Sequence, residues 1–97
     1  MTFILTDIVR EENNLQFANR TWRPIAAEIA RSKLIDDERA EKIGFHLCTE
    51  VKASEAKQIS EHLKILLKNG ELPSSISPDA ALLVADFASS SHGFEVC

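Results

Sequence analysis

The first nine residues, Met1–Val9, are mostly β-branched and aliphatic with no helix breaker, a pattern that predicts a strand. Phe3, Leu5 and Val9 share one face with Asp7, while Ile4, Thr6 and Ile8 share the other. Apolar residues on both faces imply a strand covered on both sides for part of its length, or one that is central in its sheet. Arg10–Asn14 is a polar turn whose asparagines tolerate left-handed backbone. Leu15 and Phe17 then alternate with Gln16 and Ala18, so a second strand should return antiparallel to the first.

Helical spacing takes over from there. Thr21 can cap a helix running to about Lys33, with Trp22, Ile25, Ala26 and Ile29 on its buried face and Pro24 in its first turn. Asp36 or Asp37 can cap a shorter helix that turns Ala40, Ile43 and Leu47 inward, with Gly44 either weakening it or ending it. Ser54 begins the longest helix, from about Glu55 to Lys68, with Ala56, Ile59, Leu63, Leu66 and Leu67 as its stripe and Asn69-Gly70 as its stop. Ser77-Pro78-Asp79 is a strong start signal for a last helix, whose face is Ala80, Leu83, Val84 and Phe87. After the break at Ser89–Gly93, Phe94–Cys97 alternates as a closing strand, most economically paired with the first. The expected fold is therefore α+β: a small antiparallel sheet of about three strands, an N-terminal hairpin plus the C-terminal strand, packed against about four helices. Its core should contain Phe3, Leu5, Trp22, Ile25, Ile29, Ile59, Leu63, Leu66, Leu83, Phe87 and Phe94.

Length and charge narrow the function classes. Ninety-seven residues support one core, so residues 1–97 read as a single domain. Fifteen acids against eleven Lys and Arg give a net charge of −4, which argues against direct nucleic-acid binding. No apolar run reaches the roughly 18–20 residues of a membrane span, and Asp7 interrupts the N-terminal one too early for a signal peptide. With only Cys48 and Cys97, neither a disulfide framework nor a four-ligand zinc site is expected. Both cysteines read as core thiols of a cytoplasmic protein, with the terminal Cys97 open to oxidation or cross-linking in vitro.

Few constellations could carry chemistry. A serine from Ser89–Ser91 with His92 and Asp86 has the residue types of a hydrolytic triad, but neighbours at one helix end cannot supply its geometry, and no nucleophile elbow is present. His46, Cys48, His92 and Cys97 include no common zinc-chelating spacing. Three scattered glycines make no phosphate loop. No catalytic residue, metal or cofactor is expected, and the chain is read as non-enzymatic. The densest charge is Asp36-Asp37-Glu38 with Glu41, which Glu11, Glu12, Glu50, Glu55 and Glu61 could extend in space. Such a surface can present carboxylates to a basic groove that normally holds nucleic-acid phosphates. The competing reading is a solvated helix start, where the helix dipole favours acids. Trp22 at the start of its helix, beside Arg23, is a core anchor or a second candidate contact.

Two segments carry a resemblance: Leu15-Gln16-Phe17-Ala18-Asn19-Arg20-Thr21-Trp22-Arg23-Pro24, and Phe87 to Val96 with its Gly93-Phe94-Glu95-Val96 end. They resemble a loose family of small uncharacterised bacterial and phage proteins, which implies no activity or catalytic residues. His92-Gly93 stands where that family often has Gly-Gly. In type, the chain is also similar to the anti-CRISPR inhibitors of phages and mobile elements. That likeness implies a cytoplasmic inhibitor in a bacterial host, binding a CRISPR surveillance complex at its basic nucleic-acid surface through Asp36, Asp37, Glu38, Glu41, Glu11 and Glu12. The alternative is an antitoxin- or immunity-like protein-protein interaction module with no nucleic-acid mimicry.

Overall fold

The computed structural model describes residues 2–45 and 47–97. β1 (Thr2–Asp7) alternates strictly, burying Phe3, Leu5 and Asp7, and pairs antiparallel with β2 (Asn14–Ala18) in the register Phe3↔Phe17 and Leu5↔Leu15. β4 (Phe94–Val96) runs antiparallel along the other side of β1, so β1 is central, one of the two arrangements its sequence allowed. A fourth strand, β3 (Thr49–Val51), pairs with β4 and completes the sheet order β2-β1-β4-β3. The expected three strands become four. A three-residue strand with one strand neighbour is too short for sequence alternation to reveal.

β2 runs directly into α1 (Asn19–Arg31), whose N-cap is Ala18. The helix therefore begins earlier than the Thr21 cap expected from sequence, and Pro24 lies inside it. α2 (Asp37–Lys42) is capped by Asp36, whose carboxylate accepts from Arg39 N–H at 3.1 Å. It ends before Gly44, so Leu47, expected to face inward, is exposed. α3 (Ala53–Asn69) is capped at Lys52, ahead of the expected Ser54. There Glu55 reaches back to accept from the Lys52 N–H at 2.9 Å. Gly70 closes the helix in the left-handed conformation, its φ of 68° bringing the Glu71 N–H to the Leu66 carbonyl at 2.9 Å. α4 (Pro78–Ser90) opens with the expected Ser77 cap and Pro78.

The helices cover one face of the sheet, and the core lies between the two layers. Phe3, Leu5, Trp22, Ile25, Ile29, Ile59, Leu63, Phe87 and Phe94 are buried there, and Leu66 is half-buried. Leu83 departs from expectation at 51% exposed. The inward stripe of α4 is Ala81, Val84, Ala85 and Ala88, because small side chains let it lie close against α3 and rotate Leu83 outward. Val9, expected on the buried face, lies beyond the end of β1 and is exposed. Trp22 is fully buried, donating its indole N–H to the Ile43 carbonyl at 2.8 Å, so it is a core anchor and offers no surface contact. Gly93 permits the entry to β4: with φ of 92°, a Cβ there would come within 2.8 Å of the Val51 carbonyl oxygen.

The cysteines correct a second expectation. Cys48 and Cys97 are joined by a disulfide that closes a sequence separation of 49 residues. Neither is a free core thiol: Cys48 is exposed and Cys97 half-buried. They sit one rung beyond the Thr49↔Val96 pair, directly across from each other.

Candidate functional site

With the helices on one side, the other face of the sheet is open. Along it, one row reads Asn14–Thr6–Glu95–Glu50 across all four strands, and the next reads Gln16–Ile4–Cys97–Cys48. Ile4 and Cys97 exchange both backbone hydrogen bonds, at 3.2 and 2.9 Å. Because backbone groups alternate sides along an antiparallel strand, Cys97 and Glu95 both turn their N–H and C=O toward β1. Their pairings with Cys48 and Glu50 across β3 are thus of the close, non-hydrogen-bonded kind. The Cα–Cα distance of 4.2 Å between the cysteines fits that geometry.

Glu50 and Glu95 therefore stand side by side at the tightest cross-strand spacing, where like charges destabilise a sheet. Glu11 joins them around a shallow groove of about 150 Å³, together with Thr6, Asp7 and Ile8. Among the described residues, no Lys or Arg side-chain nitrogen lies within 4.0 Å of the carboxylate oxygens of Glu11, Glu50 or Glu95. Ile4 and Ile8 are exposed on the same face.

The expected acidic segment looks different in three dimensions. Asp37 pairs with Lys33 at 2.8 Å and Glu38 with Lys42 at 3.2 Å. Asp36 pairs with Arg39, which also grips the Glu55 carboxylate and donates to the Glu50 carbonyl at 2.9 Å. The Arg39 hydrogen bonds hold both carboxyls below their usual range. Glu41 alone of the four has no cation partner among the described residues. Arg39 thus ties α2 to β3 and α3, and three of the four acids are neutralised within the fold. Glu12 lies apart from Glu11's groove, in an open cleft of about 510 Å³ lined by Asp7, Arg10, Asn13, Ser90 and His92. Sequence reasoning gave Glu50 only as a possible extension and gave Glu95 no binding role. The alternation of β4 could have flagged Glu95, but its opposition to Glu50 needs the unforeseen β3.

Two titratable clusters lie elsewhere. Buried Asp7 accepts from the Val9 N–H at 2.9 Å, the Arg10 N–H at 3.3 Å and Asn13 Nδ2 at 3.3 Å, with His92 Nδ1 3.5 Å away. Burial alone would raise its pKa, but the hydrogen bonds win and hold it at about 2. His92 is thus partnered by Asp7, while Asp86 lies 3.7 Å from Lys64. Ser89, Ser90 and Ser91 each donate to the carbonyl three residues back. The Ser-His-Asp set written from sequence does not assemble.

Between α1 and α3, Glu28 is buried and accepts from Arg31 through two bonds of 3.0 and 2.6 Å and from Ser32 Oγ at 2.8 Å. His62 Nε2 lies 2.8 Å from Glu28 and 3.1 Å from Ser32 Oγ. A catalytic relay needs the acid on one ring nitrogen and the nucleophile on the other; here one nitrogen meets both. The cluster is a polar brace between the helices. Among the described residues no three His, Cys, Asp or Glu side chains converge as metal ligands, and His46 of the sequence-derived set lies outside the described residues.

The brace sets a pH dependence. The Arg31 hydrogen bonds, helped by His62 and Ser32 against the cost of burial, lower the Glu28 pKa from about 4.5 to about 2. A carboxyl depressed on folding stabilises fully above its unfolded pKa and loses that contribution as pH falls toward the folded one. Between pH 4.5 and 2 the protein should therefore lose about 2 kcal/mol through this group, a figure discounted for the exposed Arg31. Urea midpoints measured across that range should fall less steeply for Glu28→Gln than for the wild type. Parallel slopes would remove Glu28 from the acid response.

No family model matches the chain, no curated protein matches it, and no solved structure matches its fold. No helix among the described residues is long and apolar enough to cross a membrane.

Proposed function

We propose that the chain is a non-enzymatic inhibitor that lays its open sheet face on a basic nucleic-acid-binding surface of a protein partner. The partner type is a CRISPR surveillance complex in the cytoplasm of a bacterial host, and the effect is to keep target DNA out. The observation carrying this reading is the Glu50–Glu95 pair, joined by Glu11, on an uncovered face where, among the described residues, no Lys or Arg side chain pairs with their carboxylates. Like charges held side by side cost stability in the free protein, and a cationic surface relieves that cost on binding. Three of the four acids at α2 are internally paired and offer less to a partner, and the Asp36–Arg39–Glu55 link serves to hold β3 in place.

The test titrates the chain into reconstituted surveillance complexes carrying labelled target DNA, at several salt concentrations. Competitive loss of DNA binding that weakens steeply with salt supports the reading, because a carboxylate array competing for phosphate contacts depends on charge. Binding that is non-competitive with DNA and insensitive to salt would overturn it. That result would instead favour the antitoxin- or immunity-like interaction module, with Ile4 and Ile8 as its contacts.

A further inference from the structure

The Cys48–Cys97 bond sits in the same open face as the acidic row, one rung away. Three observations give it a role beyond a static staple. Cys48 is exposed, so the bond is open to attack without unfolding. β3 is a three-residue edge strand whose sheet hydrogen bonds go to β4 alone, and Cys48 is the residue immediately before it. Finally, Glu95 Oε1 lies 3.5 Å from Cys97 Sγ, which places the disulfide in contact with the charge pair.

We propose that Cys48–Cys97 is a reversible thiol–disulfide exchange site that controls whether β3, and with it Glu50, is held in the acidic row. The reductant is a dithiol. One of its thiolates attacks a sulfur of the bond, which breaks as a mixed disulfide forms. Its second thiol then displaces the chain's sulfur and leaves as a cyclic disulfide. The chain gains two electrons and two protons and ends with two thiols. β1 and β4 keep their ladder, because Ile4 and Cys97 remain joined through their backbones. β3 keeps its short pairing with β4, the Arg39 contact to the Glu50 carbonyl and the buried Val51 side chain, but loses the covalent tie at its N-terminal end. The freed Cys97 thiol becomes a hydrogen-bond donor for Glu95. In a reducing cytoplasm such an exposed bond is redox-sensitive, and there disulfides are typically transient or sensing. The consequence for binding rests on the docking reading above; the exchange itself does not.

The experiment treats the full chain with millimolar dithiothreitol in native buffer, alkylates it, and follows mass and amide hydrogen exchange. Two alkyl groups should be added while the protein stays folded. Exchange at the Thr49 and Val51 amides, the two of β3 that face β4, should accelerate at least tenfold more than in α1 and α3. Reoxidation should restore the original rates, and a Cys48→Ser variant should reproduce the reduced pattern without reductant. A bond that resists dithiothreitol until the protein unfolds would overturn the proposal, as would acceleration at β3 no greater than the chain-wide rise that loss of the cross-link itself produces. Failure of both redox forms to compete with DNA would sink the docking reading while leaving these exchange results intact.

Discussion

Trp22→Ala should leave the protein largely unfolded at 25 °C. The indole is fully buried, stacks on Phe17 at a ring-centroid distance of 6.4 Å, tilts against Phe3 at 6.3 Å, and bonds the Ile43 carbonyl at 2.8 Å. Removing a buried Trp costs about 3–5 kcal/mol through lost burial and the cavity left behind. A carbonyl stranded without its donor adds about 1–3 kcal/mol. Domains of this size have a total stability near the lower end of about 5–15 kcal/mol, so the sum is comparable to everything the fold has. Trp22→Phe separates the two contributions, keeping a ring against Phe3 and Phe17 while removing the bond to Ile43. Far-UV circular dichroism in a urea titration should show no native baseline for Ala and a clear, lowered midpoint for Phe. A Trp22→Ala unfolding free energy within about 1 kcal/mol of wild type would contradict the buried placement.

Replacing both cysteines with serine should have the next largest effect. The disulfide closes a separation of 49 residues, and in the chain-entropy treatment a loop of that length is worth about 4 kcal/mol. For a domain this small that corresponds to a fall in Tm on the order of 20 °C. Calorimetry of the oxidised wild type against the double variant measures it directly. A difference below about 1 kcal/mol would mean that the cross-link is offset by native-state distortion or by structure surviving in the unfolded chain. The double variant should nonetheless fold, because the core beneath the sheet does not include either cysteine.

Most of the fold was legible in the sequence because periodicity reports directly on burial. The alternation of β1 and the i, i+3, i+4 spacing of Trp22, Ile25, Ala26 and Ile29 both describe faces that are buried in the structure. The misses share one physical cause: they depend on what lies across from a residue. Leu83 carries the larger side chain, but the alanines of α4 decide its rotation because α3 must approach closely. β3 is defined by its pairing, and without it neither the disulfide nor the Glu50–Glu95 opposition can be foreseen. The acidic run at Asp36–Glu41 was conspicuous in sequence, yet density along a chain says nothing about partners four residues away or in another element. Lys33, Arg39 and Lys42 take up three of its four charges.

The placement of the binding surface is tested most directly by comparing two charge-neutralised variants in the DNA-competition assay. One carries Glu11→Gln, Glu50→Gln and Glu95→Gln; the other carries Asp36→Asn, Asp37→Asn, Glu38→Gln and Glu41→Gln. The sheet variant removes like-charge repulsion and should fold at least as stably as wild type while competing with DNA at least a hundredfold more weakly, about 2.7 kcal/mol in affinity. The α2 variant should compete within about tenfold of wild type, because three of its four charges are already paired within the fold. Full competition by the sheet variant alongside loss in the α2 variant would contradict the assignment and return the site to the helix.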